Sequence, residues 1–293
     1  MSVEILERTQ PQLDQSIIDQ VEDFRSLPLV EAANVFGRGS VEKQIPQGDI
    51  VDFSESERAT FDEIVENCLN DKATPRELSE AGKQRVRAIG AYALAHEAEL
   101  KERATKFNRP VLRVLFSCGY AAASAQTPPP EEYREARMMM DFAKEMGMVD
   151  YFAGLVEFDE QIESSTTIGD AVYAAESSFL PRGHGGKAFS PNRRLGVVSH
   201  PDHMARCVDA ARWAFRLKEA DVLEINAQGE DLNTVGTAEK VTRWMMRIGT
   251  FGTHHSHERL LNREALILRA VLFAKRMKGG GSAPAPQLAA ENV

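Results

Sequence analysis

Val111-Leu112-Arg113-Val114-Leu115-Phe116, closed by Ser117-Cys118-Gly119-Tyr120, is the stretch on which the fold turns. A short apolar run ended by small, turn-forming residues reads as a strand buried on both faces. Pro128 to Pro130 follow, then a helical pattern near 131–146 that stops at Gly147. The same order recurs. Tyr151 to Phe158 reads as a strand, with an acidic turn and a helix over 167–177 behind it. Leu195-Gly196-Val197-Val198-Ser199 is the next strand, with a helix over 201–216. Val222 to Asn226 leads to helical patterns near 236–248 and 257–277. Strand, loop and helix alternating over short connections predict right-handed βαβ units on a parallel sheet. The fold class expected is α/β: a three-layer Rossmann-like fold, its mainly parallel sheet flanked by helices, with extra N- and C-terminal helices.

Upstream, Leu29 to Phe36 reads as a first strand, although Glu31 and Asn34 interrupt its apolar run. Residues 11–26, 54–69 and 76–102 carry helical spacing, and Thr74-Pro75-Arg76-Glu77 supplies a cap, a first-turn proline and a capping-box acid for the last of them. The domains expected are therefore a helical extension over 1–28, the Rossmann-like domain over 29–278 and a disordered tail over 279–293, where GGGSAPAPQLAAENV lacks apolar content.

Composition narrows the partners. A net charge of −9 lacks the basic footprint that nucleic acid and anionic membranes require. No stretch reaches the about 18 apolar residues of a spanning helix. The first residues have no basic flank before an apolar run, so no signal peptide is expected. Cys68, Cys118 and Cys207 are scattered. Together these features suggest reduced thiols in a cytoplasmic protein without a membrane anchor, with a homodimer left open.

In open parallel sheets, ligands bind beyond the carboxyl ends of the strands, where helix N-termini present N–H groups. The most informative such segment is Val197-Val198-Ser199-His200-Pro201-Asp202-His203-Met204-Ala205-Arg206. Met204, Val208, Ala211 and Phe215 form its apolar stripe, which brings His203 and Arg206 together in the first turns. His203, kept towards the neutral form by the helix end, would serve as acid, base or hydrogen-bond partner. Arg206 would grip a phosphate or carboxylate; the plainer alternative has Ser199 capping a helix with both side chains in solvent.

The acidic turn Glu157 to Thr167 offers a carboxylate for a ribose hydroxyl or for proton transfer, while Ser164 and Thr167 would cap the next helix or donate to a phosphate. Gly119 would let backbone approach a ligand. Cys118 has no neighbouring base in the sequence, so it reads as a packed residue. Gly37-Arg38-Gly39-Ser40 is neither a dinucleotide fingerprint nor a P-loop, yet Gly37, Arg38 and Gly39 are candidates for contact with a cofactor, as is Glu157. Gly183-His184-Gly185-Gly186-Lys187 reads as a lid. His254, His255 and His257 lie too close together for two ligands on one helix face, so capping by Ser256 is expected there and no metal site.

The order of these segments resembles the ElyC/SanA/YdcF family of Rossmann-like bacterial proteins. Its post-strand Ser-Gly-Gly turn corresponds to Ser117-Cys118-Gly119, and its Glu-Ala to Glu135-Ala136. Its Ser-x-x-Thr-x-Glu-Asn segment corresponds to Ser164-Ser165-Thr166-Thr167-Ile168-Gly169-Asp170-Ala171. Its Val-Thr-Ser-x-x-His-Met-x-Arg-Ala segment corresponds to Val197 to Cys207. The departures are Cys118 for glycine, Gly169-Asp170 for Glu-Asn and Cys207 for alanine. The resemblance implies one site lined by Ser117, Glu135, Ser164, Thr167, Ser199, His203 and Arg206, and it suggests S-adenosylmethionine as a ligand.

Three functions are carried forward. The first is a soluble enzyme or binding protein for a phosphorylated or nucleotide-like small molecule, a hydrolase or transferase if catalytic, with Ser117, Gly119, Ser164, Thr167, Ser199 and Arg206 on the anion and His203 and Glu135 as acid and base. The second binds S-adenosylmethionine or transfers its methyl group. The third is a non-catalytic regulatory ligand-binding protein.

Overall fold

The computed structural model describes residues 12–37, 40–43, 54–69, 75–120, 129–177, 179–180, 194–228, 243–244, 246–248, 256–263 and 266. The chain begins with a helical turn, α1 (Gln15–Ile18), and a 3-10 turn over Val21–Phe24, rather than one helix over 11–26. Ser16, Ile17, Ile18, Asp19 and Val21 are weak helix formers, and the run breaks at Asp19-Gln20. Tyr92 then ties down the approach to the sheet. Its hydroxyl donates to the Pro28 carbonyl at 2.7 Å and accepts from the Val30 N–H at 2.8 Å. Strand β1 (Ala32–Phe36) follows.

Two short strands, β2 (Ser40–Glu42) and β3 (Arg76–Leu78), form an antiparallel ribbon, with α2 (Glu55–Leu69) between them in sequence. Because β3 takes residues 76–78, the long helix expected over 76–102 starts later and divides into α3 (Glu80–Ala95) and α4 (Glu97–Phe107). Ser79 is its cap, accepting from the Gly82 N–H at 3.1 Å. Strand β4 (Leu112–Ser117) leads to α5 (Glu135–Glu145), which Gly147 closes at φ +75°. Tyr151, expected to begin the next strand, instead ends a turn of helix, α6 (Met148–Tyr151); residues 152–155 form a turn, and β5 (Val156–Gln161) starts later. The acids from Glu157 to Glu160 therefore belong to a strand and not to a turn. Then come α7 (Thr167–Glu176), β6 (Leu195–Ser199), α8 (Pro201–Phe215) and β7 (Val222–Asn226).

The sheet runs β5-β4-β1-β6-β7 and every pairing is parallel. Its first strand in sequence is central; the chain builds outward through β4 and β5, then returns to the other side of β1 with β6. The direction of building reverses between β1 and β6, which is the switch point of a doubly wound sheet. Alternate side chains feed two cores. Ala33, Val35, Val114 and Phe116 pack with α3, α5 and α6. Ala32, Phe36, Leu115 and Val197 pack with α7 and α8. This is the three-layer Rossmann-like arrangement expected. No helix among the described residues is long and apolar enough to cross a membrane.

The C-terminal residues that are described lie on the second face, where Met246 and Leu260 join the α7–α8 core. Ser256 caps the helical stretch that follows it, accepting from the Arg259 N–H at 3.3 Å. Arg243 and Arg247 each bring Nε to 2.8 Å from Oδ2 of the buried Asp209 on α8. Burial opposes the Asp209 charge, but the hydrogen bonds and charges of Arg247 and Arg243 outweigh it and hold the carboxyl below its ordinary value. A carboxyl lowered in this way adds stability that is full above its unfolded pKa of about 3.9 and disappears as pH falls through the lower folded value. Asp209→Asn is expected to cost about 2 kcal/mol at pH 7. The gap from the parent should close in urea titrations repeated at strongly acidic pH. The segments 183–187, 254–255, 267–277 and 279–293, with Arg38 and Gly39, lie outside the described residues.

Candidate functional site

The strand ends meet as the sequence requires. Phe36 is in register with Ser117, Val35 with Val198, and the Gly37 N–H donates to the Ser117 carbonyl at 2.8 Å. With strands about 4.8 Å apart, Ser117 and Ser199 lie roughly 10 Å from one another across β1. Helices α5, α7 and α8 all begin on this rim, so Glu135, Thr167 and His203 do too. Thr166 caps α7 by accepting from the Gly169 N–H at 2.9 Å; Ser164 and Thr167 do not cap it.

Two hydroxyls expected on an anion work inside the protein instead. A serine hydroxyl has one hydrogen. That of Ser117 goes to Asn34 Oδ1 at 2.5 Å, in the middle of the sheet. That of Ser164 goes to the buried Asp170. Neither is left to donate to a ligand. Ser199 is also fully buried, and its Oγ accepts from the Cys207 thiol at 3.5 Å. It does not cap α8, whose N-cap residue is His200.

Gly119 is held against the loop after β5. Its N–H donates to the Ser164 carbonyl at 2.7 Å, and that carbonyl also accepts from Tyr120 at 3.2 Å. Its missing side chain admits protein backbone, not a ligand.

Glu135, the first residue of α5, is fully buried. A Cβ on Gly37 would come within 2.5 Å of its Oε2, and one on Gly82 within 3.3 Å of its Oε1. Its carboxylate is thus wedged against the end of β1 and the first turn of α3, whose positive end favours it. The Cys118 thiol donates to it. Cys118 has φ +155°, a conformation side chains rarely adopt. Burial first, then the charges of Asp170 and Glu135, push its thiol well up. Burial likewise raises Cys207 to about 12. Neither thiol is an activated nucleophile.

Above this wedge lies Arg85, with no exposed surface. Its guanidinium donates to the Phe36 carbonyl and, through Nε, to His200 Nδ1 at 3.1 Å. His200 Nε2 is 2.8 Å from Gln84 Oε1. Helix α3 therefore grips both sides of the switch point, β1 through its last carbonyl and β6 through the residue that follows it.

His203 and Arg206 stand together at the start of α8. His203 is buried, and Arg206 Nη2 lies 2.8 Å from its Nδ1. The stripe of Met204, Val208, Ala211 and Phe215 is buried as the periodicity requires.

Comparison with family models, curated proteins and solved structures finds no match to this chain.

Glu157 is not part of the rim. It is the second residue of β5, in register with Arg113 and paired with it at 2.9 Å. At about 3.3 Å per residue it lies some 13 Å short of the strand's carboxyl end. Its carboxylate is therefore not placed to meet a ribose hydroxyl at the rim. Sequence reasoning also missed Arg85, Asn34, Asp170 and His200. Arg85 carried a signal: it shares the α3 stripe of Gly82, Val86 and Ile89, and a charged residue in an apolar stripe needs a buried partner.

Proposed function

We propose that the chain binds a phosphorylated, nucleotide-like small molecule at the rim between β1 and β6, with Arg206 on the anion and His203 beside it. The observation that carries this reading is the Arg206–His203 pair, 2.8 Å apart in the first turns of α8, next to the switch point of the sheet. Glu135 holds the wedge between α3, α5 and β1 and is a positioning residue. The ElyC/SanA/YdcF likeness is part of the proposal. The segments that carry it all follow strand ends on this rim, and Cys118 adopts a glycine-like φ where that family has glycine.

Titration with ATP, AMP and S-adenosylmethionine, followed by calorimetry and thermal denaturation, tests the proposal. A phosphorylated nucleoside at 100 times its Kd is expected to add about 2.7 kcal/mol of stability. Arg206→Ala should weaken it by about 10- to 100-fold and His203→Ala by about 10-fold. Binding of none of the nucleotides, or equal binding by both variants and the parent, would remove the proposal. Binding of S-adenosylmethionine alone would replace it with the methyl-donor reading.

A further inference from the structure

We infer that the chain carries a second binding site, for a small monocarboxylate with an apolar tail, in the cleft between the end of α4 and the turn before β5. The cleft has a volume of about 430 Å3, within the range of small-molecule sites. One wall is formed by the last turns of α4 and the connection to β4, over residues 101–110; the other is the turn over residues 153–155. The Val111 N–H donates to the Leu155 carbonyl at 3.0 Å and ties the two walls together. Strands β4 and β5 both begin here, so the cleft lies at the amino ends of the strands. Six residues of β5 at about 3.3 Å each separate it by roughly 20 Å from the rim that carries His203 and Arg206.

The ligand's chemistry follows from what lines the cleft. Lys101 and Arg109 are its two cations, and no carboxylate is among the described residues that line it. Lys101 is already engaged. Its ammonium is 2.7 Å from Glu97 on the same helix, a carboxylate that also accepts from the Tyr151 hydroxyl at 3.1 Å. Arg109 is exposed, and its guanidinium has neither a hydrogen bond nor an ion pair among the described residues. Its charge reaches Glu31, but that carboxylate pairs with Arg103 at 3.6 Å. Nor does α4 need the Arg109 side chain to finish. The backbone N–H groups of Asn108 and Arg109 satisfy the Ala104 carbonyl, and Lys106 in the last turn answers the negative end of the helix.

One fork of donors is thus left over, which suits one carboxylate held by two parallel bonds. A phosphate dianion would bring twice the charge against a single uncommitted cation. Ala104, Pro110, Ala153 and Leu155 supply apolar wall for a short tail. Gly154, at φ +78°, leaves the second wall bare: a Cβ there would meet nothing within 4 Å.

Amide proton–nitrogen spectra of the full labelled chain, titrated with hexanoate, hexanamide and inorganic phosphate, test the inference. Hexanoate is expected to shift the amides of residues 101–109 and 153–155 with a Kd of about 1 mM, which one charge-assisted pair and a short tail can supply in an open cleft. Arg109→Gln changes an exposed side chain without partners, so the thermal midpoint should stay where it is while hexanoate weakens by about 10-fold. Hexanamide and phosphate should each bind at least about 10-fold more weakly than hexanoate. No shift at these residues up to about 20 mM hexanoate, or an Arg109→Gln variant that binds as the parent does, would overturn the inference. So would hexanamide equal to hexanoate, which removes the carboxylate's part, or phosphate equal to it, which removes the tail's. The two sites lie at opposite ends of the sheet, so none of these outcomes bears on nucleotide binding at the rim.

Discussion

Arg85→Met is expected to lower stability by about 4 kcal/mol, the scale at which a buried charge network loses one of its members. The guanidinium is fully buried, and its bonds reach the Phe36 carbonyl and His200 Nδ1. Methionine fills much the same space but donates nothing. The last carbonyl of β1 and a ring nitrogen at the start of α8 would then be buried without their donor. Its positive charge also acts on Cys118, against Asp170 and Glu135, and on Cys207, against Asp170. Removing it leaves two buried acids less well compensated. Urea midpoints give the loss directly. A double-mutant cycle with His200→Leu should show coupling above about 1 kcal/mol, since the two side chains are in contact. A loss below about 1 kcal/mol would mean that this network does not hold the switch point together.

Gly119→Ala should cost about 3 kcal/mol, at the upper end for adding one methyl group to a packed interior. Its new Cβ would meet the Ile162 carbonyl oxygen at 2.1 Å and that of Ser164 at 2.6 Å. Both obstacles are backbone, so no rotamer change relieves them. The turn after β4 would have to move off the loop after β5, lengthening the 2.7 Å bond from Gly119 N–H to Ser164. Thermal denaturation gives the size of the effect. Hydrogen exchange at residues 119–120, expected to rise sharply, would locate it.

The alternation of apolar runs and helical stripes made the parallel sheet legible because strands buried on both faces cannot hide their composition. Leu195 to Ser199 was legible to the residue, its helix to within one residue, and the stripe through Met204 and Phe215 was legible too. Boundaries failed where a competing local structure took the residues. The β2–β3 ribbon claimed Arg76 to Leu78, and the end of α6 with the turn after it claimed Tyr151 to Leu155. In the site, the adjacency of His203 and Arg206 followed from helical spacing. The roles of Ser117 and Ser164 did not, because each hydroxyl bonds to a side chain that only the tertiary fold supplies, or, for Ser164 and Asp170, that the capped turn of α7 brings round. Asn34 looked like a flaw in a strand and is the acceptor for one of them.

Strand β5 closes one margin of the sheet, and its outward row of peptide groups is the kind of border that invites another chain to add itself. Glu157, Asp159 and Glu160 lie along that border. Glu157 and Glu160 are already paired with Arg113 and Arg137, while Asp159 is exposed, and a carboxylate on the margin repels a second one facing it across a strand pair. The acids first read as a ligand-binding turn thus make this margin a poor template for a second copy of the same strand.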